Sequence, residues 1–177
     1  YTLTDVAPVD DDNAGGLLIG GHRTASAVSS VTVKALKTGE TVYHHDFKDG
    51  MGGWKVYPNC RGGVIENGEL IIEESDAFNG FYYDDEKFSD CEVEISFRRI
   101  GGEQSFIAGV GVSDVRDAGT MDCAGFSICC QYGKNHKGYD VSFDKRVDFM
   151  RTVCEMMGND KFLGYSPEGN KMKLVYT

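Results

Sequence analysis

The stretch QYGKNHKGYD, residues 131–140, gathers Gln131, Tyr132, Asn135, His136, Tyr139 and Asp140 into one short segment. Sugar recognition draws on two kinds of group: flat aromatic faces for the C–H side of the ring, and planar polar groups for the hydroxyls. Gly133 and Gly138 bracket the intervening loop, so a hairpin here brings Tyr132 and Tyr139 side by side, with His136 at the tip to exchange hydrogen bonds. A second loop, YPNCRGG at 57–63, adds Tyr57, Asn59 and Arg61 at the edge of such a surface. The plainer alternatives are a solvated hairpin loop and an ordinary glycine-rich connection.

Other chemistries have weaker signatures. Hydrolysis of a glycoside needs two carboxyls facing each other across a cleft. The chain has 28 acidic residues, and no motif singles out such a pair. No Ser-His-Asp or Cys-His arrangement stands out, and His44 and His45 are adjacent, so on a strand they point opposite ways. No catalytic residue is assigned, and no cofactor is expected. The stretches DVAPVDDDN and YYDDE offer hard oxygen ligands for a structural calcium, although neither follows the spacing of an EF-hand loop. The segment FNGFYYDDEKF (78–88) is densely aromatic. Alternation along a strand must send some of Phe81, Tyr82 and Tyr83 to the core and leave the rest outside.

These candidates hang on a chain that reads as strands. DCEVEISFRRI (90–100) alternates strictly, with Cys91, Val93, Ile95 and Phe97 on one face and Glu92, Glu94, Ser96 and Arg98 on the other. That is a half-buried antiparallel strand. GGVIENGELIIEE (62–74) is a hairpin whose Asn67-Gly68 turn supplies the two positive φ angles of a type I′ turn. Further strands are expected at 15–21, 29–36, 39–47, 104–114, 124–133, 138–147 and 170–177. VDFMRTVCEMM (147–157) is the best candidate for a turn or two of helix. The single Trp, Trp54, follows the glycines at 50, 52 and 53. It is either a ligand platform or a core plug, and as a plug it and Phe47 would bracket one end of the core.

The chain has 177 residues, enough for one domain. It carries 23 Gly and only 3 Pro, in keeping with many tight turns between strands. The net charge of −10 argues against nucleic acid and anionic membrane surfaces as partners. The six cysteines form no C-x-x-C pairs and read mostly as small buried hydrophobes, with at most one or two disulfides. The start at Tyr1 reads as that of an excised or processed piece. The fold class is all-β: an antiparallel two-sheet β-sandwich with little helix. It is read as a single sandwich over 1–177, with an alternative internal boundary near residue 46.

From Phe47 to Asp144 the grammar becomes specific. DF-x-DG-x-x-GW-x-V is followed by the VIENGELII hairpin, then KFSDCEVEISFRRIGGEQSFIAGVGVSD, then GFSICCQYGKNHKGYDVSF. This resembles the concanavalin-like (laminin-G-like) jelly-roll modules attached to bacterial and plant α-L-arabinofuranosidases and related glycoside hydrolases. Two departures stand out: SICCQY has cysteines where the family carries adjacent aromatics, and GGLLIGGHRTASAVSSVTVKALKTGETVY looks like closing strands placed first. Residues 1–46 would then close one module and 47–177 form the main part of another, or lend strands to a single sheet. The resemblance implies a non-catalytic carbohydrate-binding or accessory module of a secreted bacterial polysaccharide-degrading protein, extracellular or on the cell surface. Its partner would be a plant cell-wall polysaccharide or other glycan. A structural or adhesive module that self-associates through its sheet edges is the alternative, and a glycoside hydrolase the third reading.

Overall fold

Two strands of unusual length organise the molecule: β1 (Gly15–Ala35) and β7 (Cys91–Asp117). They run antiparallel and pair along almost their whole length, from Gly16 opposite Val112 to Ala35 opposite Cys91. The computed structural model describes residues 14–117, 122–131, 138–144 and 170–176. Within them the other strands are β2 (Thr41–His45), β3 (Lys55–Val56), β4 (Gly63–Glu66), β5 (Glu69–Ile72), β6 (Phe78–Phe88), β8 (Asp122–Gln131), β9 (Gly138–Asp144) and β10 (Asn170–Tyr176). All the pairings are antiparallel, and no helix occurs among the described residues. The all-β antiparallel architecture expected from the alternating pattern is therefore present. The helical candidate at 147–157 lies outside the described residues.

The ten strands join into one hydrogen-bonded sheet. Along one side of β1 lie β6, β5 and β2 in turn, and β7 covers the other side. Beyond β7 come β10, beside its first half, and β8 then β9, beside its second. This sheet curls over its own face. Phe97 and Phe106 lie on the same strand and would stand about 30 Å apart if it were straight. Instead their rings stack at 3.9 Å with an interplanar angle of 9°.

The bend is a corner where both long strands break register. Thr24 pairs with Gly102 and His22 with Ser105, so one residue on β1, Arg23, opposes two on β7. Ala25 then pairs with Gly101 and Ser26 with Arg99, which skips Ile100. Bulges of this kind bend a strand and re-aim its side chains. That is why Phe97 and Phe106, an odd number of positions apart, can meet on one face. Cross-corner hydrogen bonds hold the bend: the Thr24 hydroxyl donates to the Gly101 carbonyl at 3.1 Å, and the Arg99 guanidinium to the Gly102 carbonyl at 3.0 Å. Gly102 has φ +77°, and a Cβ there would overlap the Arg23 carbonyl and the Thr24 backbone. Gly102→Ala should therefore cost about 1–3 kcal/mol, read as a shift of the urea midpoint. An unchanged midpoint would mean the corner relaxes freely.

The enclosed core takes Leu17, Ile19, Val28, Val31 and Val33 from β1, Phe81 and Tyr83 from β6, and Val93, Ile95, Phe97 and Phe106 from β7. Cys91, Val93, Ile95 and Phe97 are all buried, as their alternation predicts, while Glu92, Glu94, Ser96 and Arg98 are half-exposed. Those outer residues pair with charged neighbours: Glu94 with Lys171 (2.8 Å), Glu92 with Lys173 (2.6 Å) and Arg98 with Glu69 (2.5 Å). Exposed pairs of this kind add little stability each. They mark a solvated face. The β4–β5 turn has the expected form, with φ +52° at Asn67 and +77° at Gly68.

Candidate functional site

β6 carries the aromatic run, and the structure divides it by pleat. Phe81 and Tyr83 are buried in the main core, while Tyr82 lies half-buried on the opposite face. There it joins a second cluster with Leu18, Tyr57, Phe78 and Ile107. β3, the short strand after Trp54, pairs Lys55 with Tyr82. The Lys55 ammonium stands 5.9 Å from the centre of the Tyr82 ring, within cation–π range. The same ammonium donates to Asp84 at 2.5 Å and to Asp85 at 2.9 Å. These two hydrogen bonds hold the Lys55 pKa above the usual lysine range.

The result is a small surface patch: one half-buried phenol ring, one ammonium and two exposed carboxylates. It offers a π-face, hydrogen-bond donors and acceptors together, the combination that sugar hydroxyls and ring C–H groups require. Asp84 and Asp85, which sequence offers as candidate calcium ligands, both accept from this ammonium. Among the described residues no group of three or more His, Cys, Asp or Glu side chains is arranged to hold a metal ion. The acidic residues of the other candidate stretch, at 5–12, lie outside the described residues.

Of the site residues expected from sequence, Tyr57, Arg61, Gln131 and Tyr139 belong to the described residues. Tyr57 is fully buried and lies edge-on to Phe78 at 5.3 Å and to Tyr82 at 6.1 Å. Placed by sequence at the edge of a binding surface, it is in fact packing beneath the Tyr82 ring. Arg61 is exposed in the loop that follows. Gln131 ends β8 in register with Ser105 on one side and Gly138 on the other, in the row that also holds His22 and Phe78. Tyr139 occupies the next row, opposite Cys130 and, through it, Phe106. Tyr132, Asn135 and His136 lie outside the described residues.

Behind the patch the fold is tightly held. Asn79 is fully buried: its carboxamide accepts from the Gly62 amide at 2.9 Å and donates to the Gly62 and Glu73 carbonyls, each at 2.8 Å. This fastens the 57–62 loop and the end of β5 to β6. Trp54 is buried in the main core. Its indole N–H donates to the Tyr43 hydroxyl at 2.9 Å, and its ring lies 6.1 Å from Phe47 and 5.7 Å from Tyr83. Burial pushes the Tyr43 phenol well above the usual tyrosine range. Burial, and then the neighbouring Glu86 carboxylate, push Tyr83 up to about 12. Cys60 and Cys91 are free thiols, and burial raises Cys91 to about 11. Cys91 thus serves as the small buried hydrophobe expected of it.

Lys55 was not among the residues singled out by sequence. Twenty-nine positions separate it from Asp84, and only the β3–β6 pairing brings them together. Comparison with protein-family models, with curated proteins and with solved structures finds no match for this chain.

Proposed function

We propose that this chain is a non-catalytic carbohydrate-binding or accessory module of the concanavalin-like kind, part of a secreted bacterial polysaccharide-degrading protein. Its partner is a plant cell-wall polysaccharide or a related glycan, met outside the cell or at its surface. The observation that supports this reading best is the Tyr82 patch, a partly open ring flanked by Lys55, Asp84 and Asp85. The motif resemblance supports the same reading. Arg61, exposed in the adjoining loop, extends the proposed surface.

The test is a glycan array of arabinan, xylan, β-glucan and pectin, followed by titration of the best ligand against variants. Tyr82→Ala removes the stacking face and should weaken binding about tenfold, from a contact worth roughly 1–2 kcal/mol. Its circular dichroism spectrum should remain that of the parent. Binding to none of these glycans would overturn the proposal. Full affinity in Tyr82→Ala would move the site away from this patch.

One observation favours the second reading, a structural or adhesive module. Among the described strands β4 and β10 each pair on one side only, with Val64 and Val175 exposed on them. Open edges of this kind accept strands from neighbours. Lys171 and Lys173 on β10 oppose such pairing, since edge lysines are a common guard against it. Concentration-dependent growth in light scattering would promote this reading. Release of reducing sugar by the isolated chain would promote the hydrolase.

A further inference from the structure

We infer that Asn67 is a site of spontaneous succinimide formation, a modification position at the tip of the β4–β5 hairpin. The chain contains two Asn–Gly pairs, at 67–68 and 79–80. The fold treats them in opposite ways. Asn67 is exposed, and its carboxamide makes no hydrogen bond with the described residues. Its turn joins β5 to β4, and β4 pairs with no other described strand. The tip of an edge hairpin opens at little cost. Asn79, by contrast, is fully buried, with its carboxamide held by three hydrogen bonds.

The chemistry needs only water. The Gly68 amide nitrogen attacks the side-chain carbonyl carbon of Asn67. The new N–Cγ bond forms and the Cγ–Nδ2 bond breaks. The side-chain nitrogen leaves as ammonia, taking up the proton that the Gly68 amide releases. Glycine suits the attack because no Cβ shields its nitrogen. Water then opens the five-membered imide. Cleavage at the side-chain carbonyl yields aspartate. Cleavage at the backbone carbonyl yields isoaspartate. The net change is amide plus water to acid plus ammonia, with no oxidant or reductant.

The product matters to the fold. Asn67 and Gly68 are the two central residues of the turn, and Glu66 pairs directly with Glu69 across it. Isoaspartate inserts an extra backbone methylene into that turn, which its two-residue geometry cannot absorb without losing the Glu66–Glu69 register. Either product adds one negative charge to the chain's −10, beside two glutamates.

The experiment is incubation of the full folded chain in mildly alkaline buffer at body temperature. Peptide mapping and isoaspartate-specific methylation follow each Asn–Gly pair, with a urea-unfolded sample in parallel. In the folded chain Asn67 should convert within about tenfold of its unfolded rate, because only local opening of the tip is needed. Asn79 should convert at least about a hundredfold more slowly folded than unfolded, because its reaction requires a buried unit to open. Asn67→Gly keeps a residue suited to positive φ and should abolish the signal from this hairpin. Equal rates at the two sites in the folded chain would overturn the inference. So would an Asn67 as inert as Asn79, or a hairpin signal that persists in Asn67→Gly.

Discussion

Asn79→Ala should lower the stability of the fold by about 3–5 kcal/mol, since a buried polar group stripped of its partner costs roughly 1–3 kcal/mol. Three backbone groups lose their partner at once: the Gly62 N–H, the Gly62 carbonyl and the Glu73 carbonyl. The alanine methyl fills little of the space and bonds to none of them. Against a typical domain stability of about 5–15 kcal/mol this is a large loss. Urea titration followed by circular dichroism measures it, with the slope of the transition unchanged if only the native state is affected. Asn79→Asp sharpens the test. It is nearly isosteric, yet at neutral pH it presents acceptors to two carbonyl oxygens and should be no less damaging than alanine. If either variant costs under about 1 kcal/mol, water or backbone movement replaces the carboxamide and the hydrogen-bond argument fails. The mutation would also loosen the 57–62 loop, and with it the packing of Tyr57 beneath Tyr82.

The sequence carried the local rules of this fold and little of its long-range geometry. Strict alternation at 91–98 identified which side chains are buried, because one face of that strand meets the core and the other meets water. The Asn67-Gly68 turn was legible because positive φ at two successive positions has few solutions. One expected strand ends at Gly21 and another at Ile100, whereas β1 and β7 continue past both positions. Glycine signals an unusual backbone conformation without saying whether it is a turn or a bulge. Here the two interruptions lie near one another across the ladder and build one corner of the sheet.

The candidate site was less legible, for related reasons. Period-two reasoning established that Phe81, Tyr82 and Tyr83 divide between faces, but not which ring stays open. That depends on which face the sheet curls around. YPNCRGG has the composition of a loop, and loops are usually exposed, yet Tyr57 is buried because it fills the space over Phe78. Lys55 acquires its role only through a two-residue strand pairing with β6. Neither the burial of Tyr57 nor the Lys55 ion pairs leave a mark within any short window of sequence.

Trp54→Ala should cost about 3–5 kcal/mol, the range for removing a large aromatic from a core with partial collapse of the cavity. The indole is only 4% exposed and touches the aromatic rings of Phe47 and Tyr83. It also supplies the hydrogen bond to the Tyr43 hydroxyl. Two milder variants separate packing from hydrogen bonding. Trp54→Phe keeps most of the ring contact and should lose about 1–2 kcal/mol, and Tyr43→Phe, which leaves the indole N–H without its acceptor, should lose a similar amount. The two sites share one bond, so the double variant should cost less than the sum of the singles. Because Trp54 is the only tryptophan, its fluorescence reports this site alone. Emission in the native state should be blue-shifted relative to the unfolded chain, and saturating glycan should leave it almost unchanged. A large shift or quench on glycan addition, together with a Trp54→Ala variant of parent stability, would return this residue to the role of ligand platform. The burial of its ring beneath Tyr43, Phe47 and Tyr83 would then have to open on binding.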